Sequence, residues 1–193
     1  MKNKMQIIDN LLTKTSEDEL NRMLTSGNFP WYYNNFTAYL SDDITNEKVK
    51  DTPQFVHGFF FDKKVNSDYY RYVIHIVALL ENRLKIKLMD KLFRIKSNLL
   101  YKTNDYPIDC YHVPHIDHFD TNKKFNTFLY YVNDSDGDTI IFNEKANNND
   151  LTIANRVTPK KGTGIFFDSS YLHASTPPRI SENRIVINFV FVE

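Results

Sequence analysis

Beyond Leu92 the chain breaks into eight short β-rich runs, each closed by turn residues, and few folds accommodate that rhythm. The runs are Leu92 to Tyr101, Cys110 to His115, Phe125 to Val132, Thr139 to Phe142, Leu151 to Val157, Thr163 to Phe167, Leu172 to Ala174 and Arg184 to Val192. Between them stand segments suited to tight turns, among them Asn133-Asp134-Ser135-Asp136-Gly137, Asn147-Asn148-Asn149-Asp150, Lys160-Lys161-Gly162 and Pro177-Pro178. Eight such strands predict a mainly β fold, a double-stranded β-helix (jelly roll) or a sandwich, over about residues 92–193. Its chemistry, if any, belongs inside the barrel mouth.

The first 91 residues read differently. Ser16-x-x-Glu19 has the form of a capping box, and Leu20, Met23 and Leu24 recur at helical spacing before Gly27, so a helix is expected over about 16–26. Gln54 to Phe61 is strand-like. From Asp68 to Asp90, Val73, Ile76, Val77, Leu80, Leu84 and Leu88 share the spacing of one long amphipathic helix. The polar stretch Ser41 to Pro53 reads as a mobile loop, and with Thr121 to Lys124 it is a candidate lid. With 193 residues and no repeat, the expectation is one domain over 1–193, its helices backing one face of the barrel.

Charge and cysteine content exclude several classes. The 24 Lys+Arg balance 24 Asp+Glu, which argues against a dedicated nucleic-acid or anionic-membrane binder. The longest apolar run, Tyr72 to Leu80, falls far short of a membrane span and is broken by His75. Cys110 is the only cysteine, so neither an intramolecular disulfide nor a thiolate zinc cluster can form. The start lacks a secretory pattern, and a reducing cytoplasm is the expected compartment.

His115-Ile116-Asp117 sets an imidazole and a carboxylate two residues apart, on one face if the segment is a strand. His173 is the only histidine in the C-terminal third and can supply a third ligand. Two histidines and a carboxylate form the facial triad that leaves positions open on a non-haem Fe(II). Eleven residues later Arg184 opens a strand whose residues Arg184, Val186, Asn188 and Val190 face one way, so its planar fork can grip a carboxylate in the barrel. The bland alternative for Arg184 is a surface ion pair with Glu182 or Glu193. Thr127, Leu129 and Tyr131 share a face of the strand after His115-x-Asp117; the bland alternative for Tyr131 is an ordinary core tyrosine.

With these residues in place, the chain resembles the iron(II)- and 2-oxoglutarate-dependent dioxygenases of the prolyl 4-hydroxylase-like branch. The resemblance runs from Arg94 to the end. It rests on Pro114 through Asp120, Leu129-Tyr130-Tyr131-Val132-Asn133, Asp136-Gly137-Asp138-Thr139 followed by Phe142, Pro159 through Phe167, His173 and Arg184. It implies a metal site of His115, Asp117 and His173. It further implies that Arg184 binds the distal carboxylate of 2-oxoglutarate with help from Tyr131, that Thr127 and Leu129 line the cosubstrate pocket, and that Asn188 faces it. The cofactors implied are Fe(II) and 2-oxoglutarate with O2, and the reaction is hydroxylation of a C–H bond with release of succinate and CO2. The family commonly has Gly-Gly-Glu-Thr where this chain has Asp136-Gly137-Asp138-Thr139, a change in a turn. A looser similarity to small phage-encoded members rests on Phe29-Pro30-Trp31, on Arg94 through Leu99 and on Arg184 through Phe189. Either Asn98 or Tyr101 is a candidate for a further contact to 2-oxoglutarate.

His118-Phe119-Asp120 offers a competing register, but His115 lies 16 residues before Tyr131, which is the spacing of the family. His112 reads as a strand residue near the mouth, His57 and His75 as hydrogen-bonded core histidines. Arg83, Lys85, Lys87, Lys91, Arg94 and Lys96 read as a solvated basic face, and Phe29 to Tyr33 as a packing strip. The rivals are a non-catalytic jelly-roll binding module and a metal-dependent isomerase with no use for Arg184. Among substrates, a peptidyl side chain, proline first, leads over a free small molecule or a nucleobase.

Overall fold

The alternation of residues 183–192 decides how the molecule is layered. A computed structural model describes residues 5–38, 46–117, 123–145 and 150–193. Its strands are β1 (Gln6–Ile8), β2 (Tyr32–Asn34), β3 (Gln54–Phe61), β4 (Lys64–Val65), β5 (Leu92–Tyr101), β6 (Phe125–Tyr131), β7 (Thr139–Lys145), β8 (Ile153–Val157), β9 (Gly164–Asp168), β10 (Tyr171–Ser175) and β11 (Asn183–Val192). The described residues also form two α-helices, α1 (Lys14–Leu24) and α2 (His75–Leu84), and 3-10 turns before and after α2 at Asp68–Tyr72 and Met89–Lys91.

The strands form a major sheet in the order β1-β9-β6-β11-β5-β3-β2, with β4 paired to β3, and a minor sheet β10-β7-β8, all antiparallel. Central β11 turns Ile185, Ile187, Phe189 and Phe191 to one side. There they join Leu20 and Leu24 of α1, Ile76, Val77 and Leu80 of α2, and Ile95, Leu99, Phe128 and Tyr130 in one buried cluster. Each such fully buried side chain contributes roughly 1.5–3 kcal/mol relative to exposure. The other side of β11 faces the barrel interior, where Val186 packs with Leu129, Tyr131, Ile141, Ile165 and Phe167. The double-sheet jelly roll backed by helices therefore matches the sequence expectation.

Local readings needed correction. Helix α1 starts two residues earlier than the capping box implies, because the Thr13 side chain caps it by accepting the Ser16 amide. The expected long helix over Asp68 to Asp90 is three pieces. Lys85 adopts a left-handed conformation, φ 58°, and ends α2. The Glu81 carboxylate then accepts the amides of Leu88 (2.6 Å) and Met89 (2.9 Å), so the chain turns while Leu88 stays in the core. Cys110 to His115 is not a strand: it meets its neighbours through isolated bridges, Tyr111 with Val49 and His115 with His173. Of the aromatic strip, Phe29 and Trp31 join the core, whereas Tyr32 and Tyr33 are exposed. His75 lies exposed on α2, while His57 is buried and bonded to the Pro30 carbonyl and Ser67 hydroxyl. Residues 41–45 of the first candidate lid, 121–122 of the second and 147–149 of the turn at 147–150 lie outside the described residues, as does the competing His118-Phe119-Asp120, whereas residues 46–53 of the first lid are described and are tied to Tyr111 by backbone hydrogen bonds at Lys48 and Lys50. Among the described residues no helix is long and apolar enough to cross a membrane.

Candidate metal centre and anion cavity

Two separate elements bring the expected triad together. His115 and Asp117 lie on the irregular segment before β6, and His173 sits in the middle of β10, tied to His115 by two backbone hydrogen bonds of 2.9 Å. One potential ligand atom from each of His115, Asp117 and His173 lies within 4.8 Å of the others. The His115 Nδ1 points to the Val113 carbonyl at 2.9 Å, and the His173 Nδ1 lies 3.4 Å from that of Tyr171, so both Nε2 atoms face the shared space. Convergence therefore comes from one isolated bridge and not from two side chains on one strand face, which corrects the sequence expectation.

Asp117 is held from several directions. Its Oδ1 accepts Arg94 Nη2 at 2.7 Å and the Asn188 amide at 2.8 Å; its Oδ2 accepts the Thr127 hydroxyl at 2.7 Å. Arg94 also donates to the Asp117 backbone carbonyl at 3.0 Å, and Thr127 meets Ser169 at 2.7 Å. Burial alone would favour a neutral acid, but His173, Arg94, His115 and Thr127 outweigh it and hold the carboxyl far below its ordinary range. Burial, with the neighbouring His173, pushes the His115 imidazole down to about 3. A carboxylate and a neutral imidazole are the protonation states a divalent metal requires.

The triad opens onto a cavity whose walls include Lys96, Asn98, Leu129, Thr139, Arg184 and Asn188. Arg184 stands opposite Leu100 and Asn188 opposite Lys96 in the β11–β5 register. Four residues of strand, about 13 Å of backbone, therefore separate the levels of Arg184 and Asn188. Asn188 touches Asp117, so the triad and Arg184 occupy opposite ends.

At the Arg184 end the guanidinium is buried, giving Nε to the Gly137 carbonyl at 2.8 Å and Nη2 to the Thr139 hydroxyl at 2.7 Å. Among the described residues no carboxylate lies within ion-pair distance of it, which rules out the surface ion pair. A buried cation paired only with neutral groups is costly, and an anionic ligand group offsets that cost. Tyr131 does not line the cavity. Its hydroxyl donates to Thr139 at 3.0 Å, and burial, opposed by Arg184, pushes its pKa up to about 12, so it keeps its proton. Thr139 thus accepts from both Arg184 and Tyr131 and retains its own proton to donate.

Other expected positions divide. Leu129 and Asn188 line the cavity, whereas Thr127 is fully buried behind Asp117 and supports the carboxylate instead. Asn98 lines the wall and donates to Gln54 at 2.6 Å, while Tyr101 points to solvent. His112 is fully buried, between the Thr52 and Ser175 hydroxyls at 2.9 Å each, and burial beside Arg184 pushes it down to about 3. Arg94 and Lys96 correct the solvated-face reading: they sit on β5 and face inward. The missed signal was the alternation Arg94, Lys96, Asn98, Leu100 opposite Ile95, Ser97 and Leu99.

The arrangement meets the demands of an iron and diacid cosubstrate on its own geometry: a two-histidine, one-carboxylate donor set at one end and an uncompensated guanidinium at the other. Residues 101–192 match the family model described as the 2OG-Fe(II) oxygenase superfamily. No curated protein matches the sequence. Solved structures resemble it throughout. The epimerase SnoN from nogalamycin biosynthesis, in complex with Fe3+, alpha ketoglutarate and nogalamycin RO, is 15% identical with TM-score 0.60, over 100% of this chain and 80% of that one. A Trichoplax adhaerens prolyl hydroxylase, in complex with a hypoxia inducible factor peptide fragment, is 16% identical with TM-score 0.58, over 98% and 84%. The viral collagen prolyl hydroxylase of Paramecium Bursaria Chlorella virus-1, in its 2OG complex, is 16% identical with TM-score 0.53, over 97% and 95%. At these identities the likeness speaks for the fold.

Proposed function

We propose that the chain is a 2-oxoglutarate-dependent dioxygenase of the 2OG-Fe(II) oxygenase superfamily, whose family model its residues 101–192 match, and that it hydroxylates a peptidyl side chain, proline first. The observation that carries the reading is the pairing, in one cavity, of the His115, Asp117 and His173 cluster with the buried, carboxylate-free Arg184. His115, Asp117 and His173 would hold Fe(II), and Arg184 with Thr139 would hold the distal carboxylate of 2-oxoglutarate, Tyr131 acting through Thr139. When bound, Fe(II) with 2-oxoglutarate and O2 supplies an oxidant that replaces a C–H hydrogen by hydroxyl, with release of succinate and CO2. The protein's part is orientation. Arg94, Asn188 and Thr127 fix the Asp117 carboxylate, the two backbone carbonyls fix the imidazoles, and Leu129 and Val186 keep the wall apolar.

The peptide assignment and a place in the prolyl 4-hydroxylase-like branch rest on the His115 to Asp120 run, and a likeness to the small phage-encoded members rests on Phe29-Pro30-Trp31, Arg94 through Leu99 and Arg184 through Phe189. A retained carboxylate ligand favours hydroxylation over halogenation. The chain acts as a single domain in this reading, since β1 and β3 from the helical half are woven into the same sheet as β9 and β5. A cytoplasmic setting suits its buried, unpaired Cys110. A peptide library incubated with enzyme, Fe(II) and 2-oxoglutarate should show peptides gaining one oxygen by mass spectrometry, with matching succinate, and neither product with Asp117→Ala. Oxidation confined to free amino acids or oligonucleotides would overturn the peptide assignment and leave the dioxygenase.

A further inference from the structure

The cavity holds a second cation to which nothing in the mechanism above gives a task. Lys96 lines it from β5, beside Asn98 and opposite Asn188 in register. It therefore stands at the level of Asp117, the metal end, four residues of strand from the level of Arg184. Among the described residues its ammonium has no hydrogen-bond acceptor and no ion-pair partner. The one nearby acid, Asp117, is already occupied by Arg94, Asn188 and Thr127. Burial, with Arg94 adding repulsion and Asp117 opposing both, draws Lys96 down to about 8, so at neutral pH it still carries most of its charge. An ammonium kept in an enclosed wall without a partner is costly unless a ligand anion meets it.

A diacid lying along this cavity presents one carboxylate to Arg184 and the other to the metal end. Resting on the 2-oxoglutarate reading of the site, we infer that Lys96 is a second carboxylate anchor, which takes the carboxylate adjoining the keto group. Two cations from different strands, Arg184 of β11 and Lys96 of β5, then measure the length of the cosubstrate between them. The pair selects a diacid of fixed span over a monocarboxylate, and Lys96 orients the keto-acid end toward His115, Asp117 and His173. Asn98, the next residue on that face, gives one amide hydrogen to Gln54 and carries no charge, so it cannot replace the ammonium as a charged donor.

Two truncated probes separate the ends. 2-Oxopentanoate keeps the keto acid and lacks the distal carboxylate; 4-oxopentanoate keeps the distal carboxylate and ketone and lacks the other. Binding of both, and of 2-oxoglutarate, is measured by calorimetry on the Mn(II)-loaded protein, which needs no turnover. Lys96→Met should weaken 2-oxoglutarate and 2-oxopentanoate by roughly tenfold each and leave 4-oxopentanoate at its wild-type affinity. Arg184→Met should show the mirror pattern, weakening 2-oxoglutarate and 4-oxopentanoate and sparing 2-oxopentanoate. Lys96→Gln carries the measurement if the apolar replacement lowers the melting temperature. Unchanged 2-oxoglutarate affinity in the Lys96 variants, or equal weakening of both probes, overturns the inference while the Arg184 arm still supports the site. If Arg184→Met is the silent variant, the 2-oxoglutarate reading itself fails.

Discussion

At the scale of single residues, the centre depends on side chains that touch no ligand. Thr127 is the clearest case: fully buried, it gives its hydroxyl proton to Asp117 Oδ2 and meets Ser169 on its other side. Removing that donor frees the carboxylate to turn toward Arg94 and Asn188 and away from the shared space between the imidazoles. Thr127→Val preserves shape and β-branching, so the strand should persist. Mn(II) affinity measured by calorimetry should fall roughly tenfold, within the range seen for groups that orient ligands, with the melting temperature little changed. An unaltered metal affinity would show that Arg94 and Asn188 suffice. The resemblance had put Thr127 in the cosubstrate wall; the hydrogen bond moves it behind the metal ligand. Arg94 was less legible still, because a basic residue in a basic run looks solvated until the strand places it inward.

At the scale of elements, the turn before β7 and the start of β11 act as one device. Gly137 receives the Arg184 Nε on its carbonyl. A Cβ there would come 2.7 Å from the Thr176 carbonyl oxygen, 2.9 Å from Arg184 Cδ and 2.9 Å from the Pro178 nitrogen. Two of these are backbone atoms that cannot swing aside, so Gly137→Ala must shift either the turn or the arginine stem. Affinity for 2-oxoglutarate should drop at least tenfold, with a fall of several degrees in melting temperature. Wild-type affinity in a folded Gly137→Ala protein would mean the arginine tolerates the displacement. This turn was legible as a turn, from Asn133 to Gly137, but its grip on Arg184 was not, since the two are far apart in sequence. Strands with clean alternation, β5 and β11 above all, were readable because one face packs on helices and the other on the interior. The 68–90 segment was not, because a helical spacing of apolar residues is also met by a helix that ends at Lys85 and a turn that returns Leu88 to the core. The Cys110 to His115 run has strand composition and lies along the edge strand β10, but it meets that strand only where His112 bonds Ser175 and His115 pairs with His173, so isolated contacts form and not a continuous ladder.

At the scale of the whole molecule, the two sheets enclose titratable groups in the forms they hold at neutral pH, and this sets how the protein responds to acid. His112 and His115 are each pushed down to about 3 by burial, and burial also lowers His57. Asp136, drawn toward neutrality by burial, is held down at about 2 by the amides of Ser181, Arg179 and Ile180. All have folded pKa values below their unfolded ones. Between about pH 6.5 and 3 the unfolded chain therefore binds protons at His112 and His115 that the folded chain refuses, His57 acts in the same direction, and below about pH 4 Asp136 does so as well. The stability these groups contribute is complete above the unfolded values and is lost as pH falls. Each such histidine adds at most about 1.4 kcal/mol per pH unit to the slope within its window. His112 is the one to test, because it lies outside the triad and its two hydroxyl partners can be served by an amide. Urea midpoints of the chelator-treated protein between pH 7 and pH 4.5 should decline, and His112→Gln should decline less steeply by about one proton, whatever its stability at pH 7. Equal slopes in the two proteins would show that His112 takes up its proton in the folded state, and that the wall beside Arg184 is open to water.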